Sequence, residues 1–247
     1  MKILNIVKKI YKKLMFGYKS SSESYKKYLI KKGISIGKNV TFYEPNTNYI
    51  DTQKSFLVSI GNNVEITRNV IILTHDYSWA VLKQKYGPII GARGSVKIGN
   101  NVFIGMNSII MKDVEIGDNV IIGANSVVCG NIPSNSVACG NPAKVLCSLE
   151  KYYDKRAKKY ESEAINMFIE FYKKYNEIPP KNIFDEFFWL FEKRESEMSP
   201  EFKKKMELTG NTNETYACFK KNQPKYNGYD EFVKMCIKIY NEEYRRK

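Results

Sequence analysis

Between residues 98 and 128, an aliphatic side chain recurs at every sixth position. The residues in this phase are Ile98, Ile104, Ile110, Ile116, Ile122 and Val128. A period of six fits neither the 3.6-residue repeat of an α-helix nor the alternation of a strand in an ordinary sheet. It is typical of a β-helix built from hexapeptides, each supplying one short strand and one corner. Three hexapeptides then form one triangular coil, so residues eighteen apart, such as Ile98 and Ile116, are predicted to stack in the core.

The same phase extends toward the N-terminus, with two interruptions. The residues that keep it are Ile36, Phe42, Ile60, Ile66 and Ile72, whereas Asn48 and Lys54 break it. Segment 43–57 is therefore predicted to be an irregular coil or a bulge of the same length. After Ile72 the pattern resumes only at Ile98, which leaves twenty additional residues outside the coil. An excursion of this length from a compact repeat is usually functional.

The pattern divides the chain into three predicted parts and places it in the mainly β class. Residues 1–33 form a basic amphipathic helical segment, residues 34–148 the β-helix, and residues 149–247 an α-helical extension. Pro133 and Pro142 remove donors from the strand ladder and mark the end of the regular coils.

The extension is predicted to contain several helices. A long one starts at Leu149 and ends before Pro179, and a short aromatic one starts at Asn182 or Asp185. Another begins at Ser199-Pro200-Glu201, which combines an N-cap with a proline in the first turn, and a last one covers residues 230–244. The many aromatic residues of this part are expected to form its own core.

Most of the net charge of +14 lies on the first segment. Residues 1–33 hold ten lysines and one glutamate, a net charge of +9, whereas residues 34–150 carry +1 and residues 151–247 carry +4. The first helix places its apolar residues near one face and its lysines on the other. Two interpretations remain open: peripheral contact with an anionic membrane surface, or packing on the neighbouring core with a solvated basic face. Nucleic acid is not expected as a partner, because no binding motif accompanies the lysines.

Five cysteines at positions 129, 139, 147, 218 and 236 show no pairing typical of a metal site. No metal is therefore expected. The sequence shows neither a signal peptide nor a run of eighteen apolar residues. A cytoplasmic location is predicted, and a peripheral location at the inner face of the membrane is the alternative.

His75 is the single histidine of the chain. It stands where the chain leaves the repeat, among polar neighbours, and no other side chain ordinarily titrates near pH 7. We expect it to act as a catalytic general base. One histidine excludes the three-histidine zinc sites known in some β-helices. The sequence also contains no phosphate-binding Walker loop and no G-x-S-x-G nucleophile motif.

Four stretches of residues 34–147 together resemble the hexapeptide acyltransferases, near the maltose, galactoside and surface or capsular polysaccharide O-acetyltransferases. The stretches are Ile-Leu-Thr-His-Asp-Tyr at 72–77, Val-Lys-Ile-Gly-Asn-Asn-Val-Phe-Ile-Gly at 96–105, Val-Ile-Ile-Gly-Ala-Asn-Ser-Val-Val at 120–128 and Ser-Val-Ala-Cys-Gly-Asn-Pro-Ala-Lys-Val at 136–145. The resemblance implies a left-handed β-helix and a homotrimer, with acetyl-CoA in a groove between neighbouring subunits. It further implies that His75 takes the proton of an acceptor sugar hydroxyl, without an acyl-enzyme.

The resemblance also implies roles for other residues. Those expected near acetyl-CoA are Phe103, Gly105, Met106, Gly123, Ala124 and Lys144. Those expected near the carbohydrate acceptor are Asn48, Asp76, Tyr77, Trp79 and Arg93. Phe103 stands where the family has a tryptophan. The family also has an asparagine near the acceptor, and Asn46 and Asn48 are both possible equivalents of it. Asp76 is not expected to pair with His75, because side chains of adjacent strand residues point to opposite faces.

These features predict an acetyl-CoA-dependent O-acetyltransferase that acts on a sugar of a surface polysaccharide or its precursor. Two alternatives stay open: an N-acetyltransferase on an amino-sugar nucleotide, and a non-catalytic trimeric scaffold.

Overall fold

The computed structural model describes residues 2–194 and 197–244. The helices are α1 (Lys2–Phe16), α2 (Ser22–Lys31), α3 (Trp79–Tyr86), α4 (Leu149–Tyr175), α5 (Pro200–Glu207), α6 (Thr212–Lys221) and α7 (Tyr229–Tyr244). The strands are β1 (Ser35–Ile36), β2 (Thr41–Phe42), β3 (Tyr49–Ile50), β4 (Val58–Ile60), β5 (Val64–Ile66), β6 (Ile71–Ile72), β7 (His75–Asp76), β8 (Ala92–Arg93), β9 (Val96–Ile98), β10 (Val102–Ile104), β11 (Ile109–Ile110), β12 (Val114–Ile116), β13 (Val120–Ile122), β14 (Val127–Val128), β15 (Ser136–Gly140) and β16 (Ala143–Ser148).

Strands β1–β6 and β9–β15 form the three faces of a parallel β-helix, and β16 joins one face in antiparallel orientation. Sheet A has the order β1-β4-β9-β12, sheet B the order β16-β15-β13-β10-β5-β2, and sheet C the order β14-β11-β6-β3. Ile98 pairs with Ile116, as the period of six predicts, and the in-phase aliphatic residues are buried in one continuous core. The predicted fold class, a hexapeptide β-helix with helical segments before and after it in the chain, is confirmed.

The first coil is irregular, and the pairing shows where its additional residues lie. Ile36, Phe42 and Ile50 pair with Ile60, Ile66 and Ile72 of the next coil. The step from Phe42 to Ile50 is eight residues, two more than a hexapeptide, and the step from Ile50 to Ile60 is ten, four more. Since two and four make six, the phase returns at Ile60. Ile50 therefore occupies the core position that a strict count assigns to Asn48.

Asparagines at the corners adopt the left-handed backbone conformation that the coil requires. The third residue after an in-phase aliphatic is Asn101, Asn107, Asp113, Asn119 or Asn125, with φ between 53° and 61°. Asparagine tolerates this region better than most residues. The side chains also form ladders along the axis; Asn107 donates to Asn125 at 3.1 Å and accepts from Asn69 at 2.9 Å.

The twenty additional residues after β6 fold into a structured insertion. β7 pairs with β8 in antiparallel orientation, with His75 opposite Arg93 and Asp76 opposite Ala92. Along the chain, α3 comes after β7 and before β8. The insertion returns to the coil at β9, whose Ile98 stacks on Ile60.

The N-terminal segment consists of two helices that differ in their packing. α2 buries Tyr25 and Leu29 against the end of the β-helix core. α1 instead leaves Val7, Ile10 and Leu14 exposed. The interpretation that the segment packs on the neighbouring core therefore holds for α2. It does not hold for the apolar side chains of α1 that the structure describes, because these are exposed. In the described ranges, no helix is both long and apolar enough to cross a bilayer.

The chain divides into two compact units, residues 1–152 and 153–247. In the second unit, aromatic residues of the helices form a core of their own, as predicted. α4 ends before Pro179, Ser199 caps α5 by accepting from the amide of Phe202, and α7 covers the predicted last helix.

Two details of the second unit differ from the prediction. Residues 181–184 and 188–190 form two short 3-10 turns instead of one short helix. The aromatic residues 187–189 are consecutive, and one regular helix cannot turn all three toward a single core. The sequence pattern did not predict α6, whose single buried residue is Phe219.

Candidate active site

One corner of the β-helix brings Asp51 and His75 together. Asp51 follows strand β3 directly, and its amide donates to the carbonyl of Ile72 at 3.0 Å. His75 comes three residues after Ile72, at the start of the insertion. Because Ile50 and Ile72 are paired neighbours, both side chains lie at the same corner of successive coils. The Nδ1 atom of His75 is 2.6 Å from Oδ2 of Asp51.

The Asp51 carboxylate is buried and surrounded by donors. The Thr74 hydroxyl and the Thr74 amide donate to Oδ2, and the Gln53 amide donates to Oδ1 at 2.9 Å. Burial acts to raise the pKa of Asp51, but the hydrogen bonds from Thr74, Gln53 and His75 outweigh it and hold this pKa below its ordinary value. Asp51 is therefore ionised at neutral pH. Because an ionised carboxylate can only accept hydrogen bonds, Nδ1 of His75 donates to it, and Nε2 is the ring nitrogen that can act as a base.

His75 opens onto a pocket of about 270 Å³ in the insertion. The pocket is lined by His75, Asp76, Tyr77, Trp79, Gly91, Ala92 and Arg93. The His75 side chain is 11% exposed, and its ring centroid lies 4.6 Å from that of Tyr77. The structure thus brings four of the five predicted acceptor residues to His75.

Gln53, which the sequence analysis missed, attaches the insertion to the preceding coil. Its Oε1 atom accepts from the Tyr77 hydroxyl and from Nη2 of Arg93, both at 3.0 Å. Asp51 and Gln53 lie in the irregular first coil, where the repeat gives no register, so no pattern in the sequence places them beside His75.

Asp76 and Asn48 have local partners. The Asp76 carboxylate accepts from the amide of Ser78 at 2.7 Å, and this hydrogen bond lowers the pKa of Asp76. Asn48 is buried, and its Oδ1 accepts from the amide of Val70 at 2.9 Å while its Nδ2 donates to the carbonyl of Tyr43. Its side chain thus replaces backbone hydrogen bonds inside the irregular coil, and its role toward the acceptor stays a prediction.

The residues expected near acetyl-CoA lie elsewhere on the coil. Phe103 is 43% exposed on the outward side of sheet B, between Glu65 and Ile121. Gly105, Met106, Gly123 and Ala124 follow β10 and β13, at the corner between sheets B and C. Lys144 is exposed on β16. His75 lies at the corner between sheets C and A, so a single chain does not bring the two sets together.

Comparison with known proteins identifies the family. The model of the bacterial transferase hexapeptide (six repeats) matches residues 95–130. Protein CapG of Staphylococcus aureus is 42% identical over 149 residues, which cover 60% of this chain and 83% of CapG. This chain belongs to the hexapeptide-repeat family of bacterial transferases. The prediction of an acyltransferase of this family is confirmed.

Other similar proteins match shorter parts. The putative acetyltransferase YvoF of Bacillus subtilis is 32% identical over 104 residues, 42% of this chain and 55% of YvoF. A solved maltose O-acetyltransferase from Clostridium difficile is 29% identical and covers 59% of this chain and 88% of its own, with a TM-score of 0.39.

Coil stacking explains two glycines of this family member without any ligand. A Cβ atom at Gly105 would lie 2.4 Å from the amide nitrogen of Ala124, and one at Gly123 would lie 2.7 Å from Cβ of Cys139. Glycine is therefore required at both positions for the coils to approach each other. A role of either backbone toward acetyl-CoA remains a prediction.

The described residues contain no cluster of three or more His, Cys, Asp or Glu that would suit a metal ion. All five cysteines are free thiols.

Proposed function

We propose that this protein transfers the acetyl group of acetyl-CoA to a hydroxyl of a sugar in a surface polysaccharide or its precursor. The observation that carries the proposal is the 2.6 Å contact between His75 and the buried Asp51 at the mouth of an open pocket. A carboxylate that fixes the imidazole tautomer is the arrangement expected of a general base.

In the proposed reaction, Nε2 of His75 takes the proton of the acceptor hydroxyl as its oxygen attacks the thioester carbonyl. The C–O bond forms, the tetrahedral intermediate then breaks its C–S bond, and the proton on Nε2 passes to the leaving CoA thiolate. Asp51 keeps its negative charge throughout and stabilises the transient imidazolium. Holding both substrates side by side contributes to the rate by proximity.

The geometry favours a hydroxyl over an amine as acceptor. A neutral amine attacks a thioester without prior loss of a proton, whereas a hydroxyl needs a base. Tyr77, Trp79 and Arg93 supply aromatic faces and hydrogen-bond donors around His75, which suit the apolar and polar faces of a sugar ring.

The proposed donor site requires a second copy of the chain. Phe103, Met106, Ala124 and Lys144 lie on other faces and corners than His75, so an acetyl-CoA molecule held by them reaches His75 only across a subunit boundary. The similar protein YvoF is a putative acetyltransferase, which supports acetyl-CoA as the donor.

The outward rows of the three sheets support a homotrimer. The row of sheet A is polar, with Ser35, Ser59, Lys97 and Glu115. The row of sheet C is apolar, with Tyr49, Ile71, Ile109 and Val127. The row of sheet B is mixed, with Thr41 and Glu65 at one end followed by the apolar Phe103 and Ile121. Packing of the apolar row of sheet C on one copy against Phe103 and Ile121 on the next joins two unlike faces. Such a heterologous contact closes into a ring when the rotation between neighbouring copies is a fraction of a full turn, which is 120° for three copies. We propose that three copies form this ring in the cytoplasm, where five free thiols remain reduced.

The test is acetylation of candidate glycans by the purified protein, followed as an acetyl mass shift. Hydroxyl acceptors should be acetylated and amino-sugar nucleotides should not; the reverse result would establish the N-acetyltransferase instead. Sedimentation should give three times the mass of one 28.7 kDa chain. Ile121→Asp should lower that mass, whereas Glu115→Gln on the polar face should not. Failure of acetyl-CoA to bind in a calorimetric titration would favour the scaffold.

A further inference from the structure

Helix α1 exposes a row of apolar side chains along its length. Val7 is 56% exposed, Ile10 is 55% exposed and Leu14 is 80% exposed. Tyr11 and Met15, on the same side of the helix, are exposed as well. α2 shows the contrast, since its Tyr25 and Leu29 are buried in the β-helix core. The apolar face of α1 therefore has no cover within the described part of the chain.

Lysines border this face, and acidic residues are absent from the helix. At 100° per residue, Val7, Tyr11 and Leu14 lie within one sector, and Lys8 and Lys12 lie beside it. Residues 1–16 contain five lysines and no aspartate or glutamate; the first acidic residue is Glu23 in α2.

We propose that α1 lies in the interface of a bilayer that contains anionic phospholipids, with its apolar row in the acyl region and its lysines at the phosphates. An apolar stripe with a purely cationic border is the pattern of an interfacial helix. A surface for another protein is ordinarily depleted of lysine, and α1 is rich in it. This inference does not depend on the proposed acetyl transfer.

The length of α1 determines its orientation. Fifteen residues make a helix of about 22 Å, shorter than the roughly 30 Å of the hydrocarbon region. α1 therefore lies along the membrane surface and does not cross it. Gly17, with φ of +53°, ends the helix before α2 begins.

The experiment is co-sedimentation of the full chain with vesicles. Vesicles of phosphatidylcholine and phosphatidylglycerol are compared with phosphatidylcholine alone, at about 100 mM and about 500 mM salt, because salt screens exposed charges. The bound fraction should be several-fold higher on the anionic vesicles and should fall several-fold at high salt. No binding, or equal binding to both vesicles, would overturn the proposal.

Two double variants separate the apolar and cationic contributions. Val7→Asn with Leu14→Asn, and Lys8→Gln with Lys12→Gln, should each lower binding several-fold. The matched control is Lys220→Gln with Lys221→Gln, which removes the same charge from exposed positions in α6 and should bind like the wild type. If the control loses as much binding as the α1 variants, or if the α1 variants lower the oligomer mass, α1 does not bind lipid as proposed.

Acetylation of a dissolved glycan is measured on the same preparations. The α1 variants should retain it, because α1 contains no residue of the proposed active site. Loss of vesicle binding with retained acetylation supports the inference. Vesicle binding by a chain that acetylates nothing supports it equally, and in that case only the proposed function fails.

Discussion

His75 and Asp51 share a hydrogen bond of 2.6 Å although they are twenty-four residues apart. A regular coil of eighteen residues would not bring these two positions to the same corner. Ile50 and Ile72 are paired although they lie twenty-two residues apart, because four of the additional residues of the first coil fall between Ile50 and Ile60. Asp51 and His75 lie one and three residues beyond this pair, which completes the separation of twenty-four. The irregularity that weakens the repeat therefore builds the candidate dyad.

Removing the imidazole tests the proposed base. His75→Ala should fold normally, because the side chain lies at a pocket and Asp51 keeps its donors from Thr74 and Gln53. Its turnover should fall on the order of a hundredfold or more. Steady-state kinetics and circular dichroism measure both effects. Unchanged turnover would remove His75 from the mechanism.

Asp51→Asn tests the positioning role of the carboxylate. The amide has nearly the same shape but no charge, so it holds the imidazole less firmly and does not stabilise the imidazolium. We expect kcat to fall roughly a hundredfold while KM for both substrates changes little, because Asp51 is buried and does not contact them. A change confined to KM would contradict this role.

Gln53→Ala tests the attachment of the insertion. Loss of Oε1 leaves the Tyr77 hydroxyl and the Arg93 guanidinium without this partner, and the acceptor pocket loosens. KM for the acceptor should rise several-fold, with a smaller effect on KM for acetyl-CoA. Gln84→Ala is the matched control, since Gln84 is exposed on α3 in the same insertion. Equal effects of the two variants would refute the attachment.

The lowered pKa of Asp51 predicts an acid dependence of stability. The unfolded chain binds this proton near the ordinary pKa of about 4, whereas the folded chain binds it only at lower pH. The contribution of Asp51 is therefore present above about pH 4 and is lost as the pH falls through the folded pKa. Asp51→Asn should show a shallower loss of stability in acid.

Trp79 lies in the pocket beside this dyad, so its fluorescence can report the acid transition of the first unit. A Trp189→Phe background leaves it as the single tryptophan of the chain. Parallel acid dependences with and without Asp51 would contradict the assignment.

The corner asparagines give a prediction on stability. Asn107→Ala should lower the free energy of unfolding by about 1–2 kcal/mol, because φ of +61° is costly for alanine and two ladder hydrogen bonds are lost. Asn107→Gly loses the hydrogen bonds but not the conformation, and should cost less. Urea unfolding compares the two. A larger loss for glycine would show that the ladder outweighs the backbone conformation.

The sequence by itself determined the β-helix, because a period of six over many repeats leaves one way to bury the aliphatic residues. It also determined the length of the insertion, the position of His75 at its start and the aromatic nature of the second unit. Each of these follows from local spacing, which is readable along the chain.

Only the tertiary structure decided the partners of His75. Asp51 and Gln53 come from a coil with two additions, of two and four residues, that together equal one hexapeptide. The spacing along the chain therefore hides where the additions lie, and the register of this coil depends on its stacking against the next one. Stacking likewise decided that Asn48 is buried among backbone partners and that Gly105 and Gly123 are required by close approach. It also decided that α2 buries Tyr25 and Leu29, whereas the described apolar side chains of α1 are exposed. Contacts between coils depend on which residues of successive coils are paired, and this register cannot be read from the local spacing of residues along the chain.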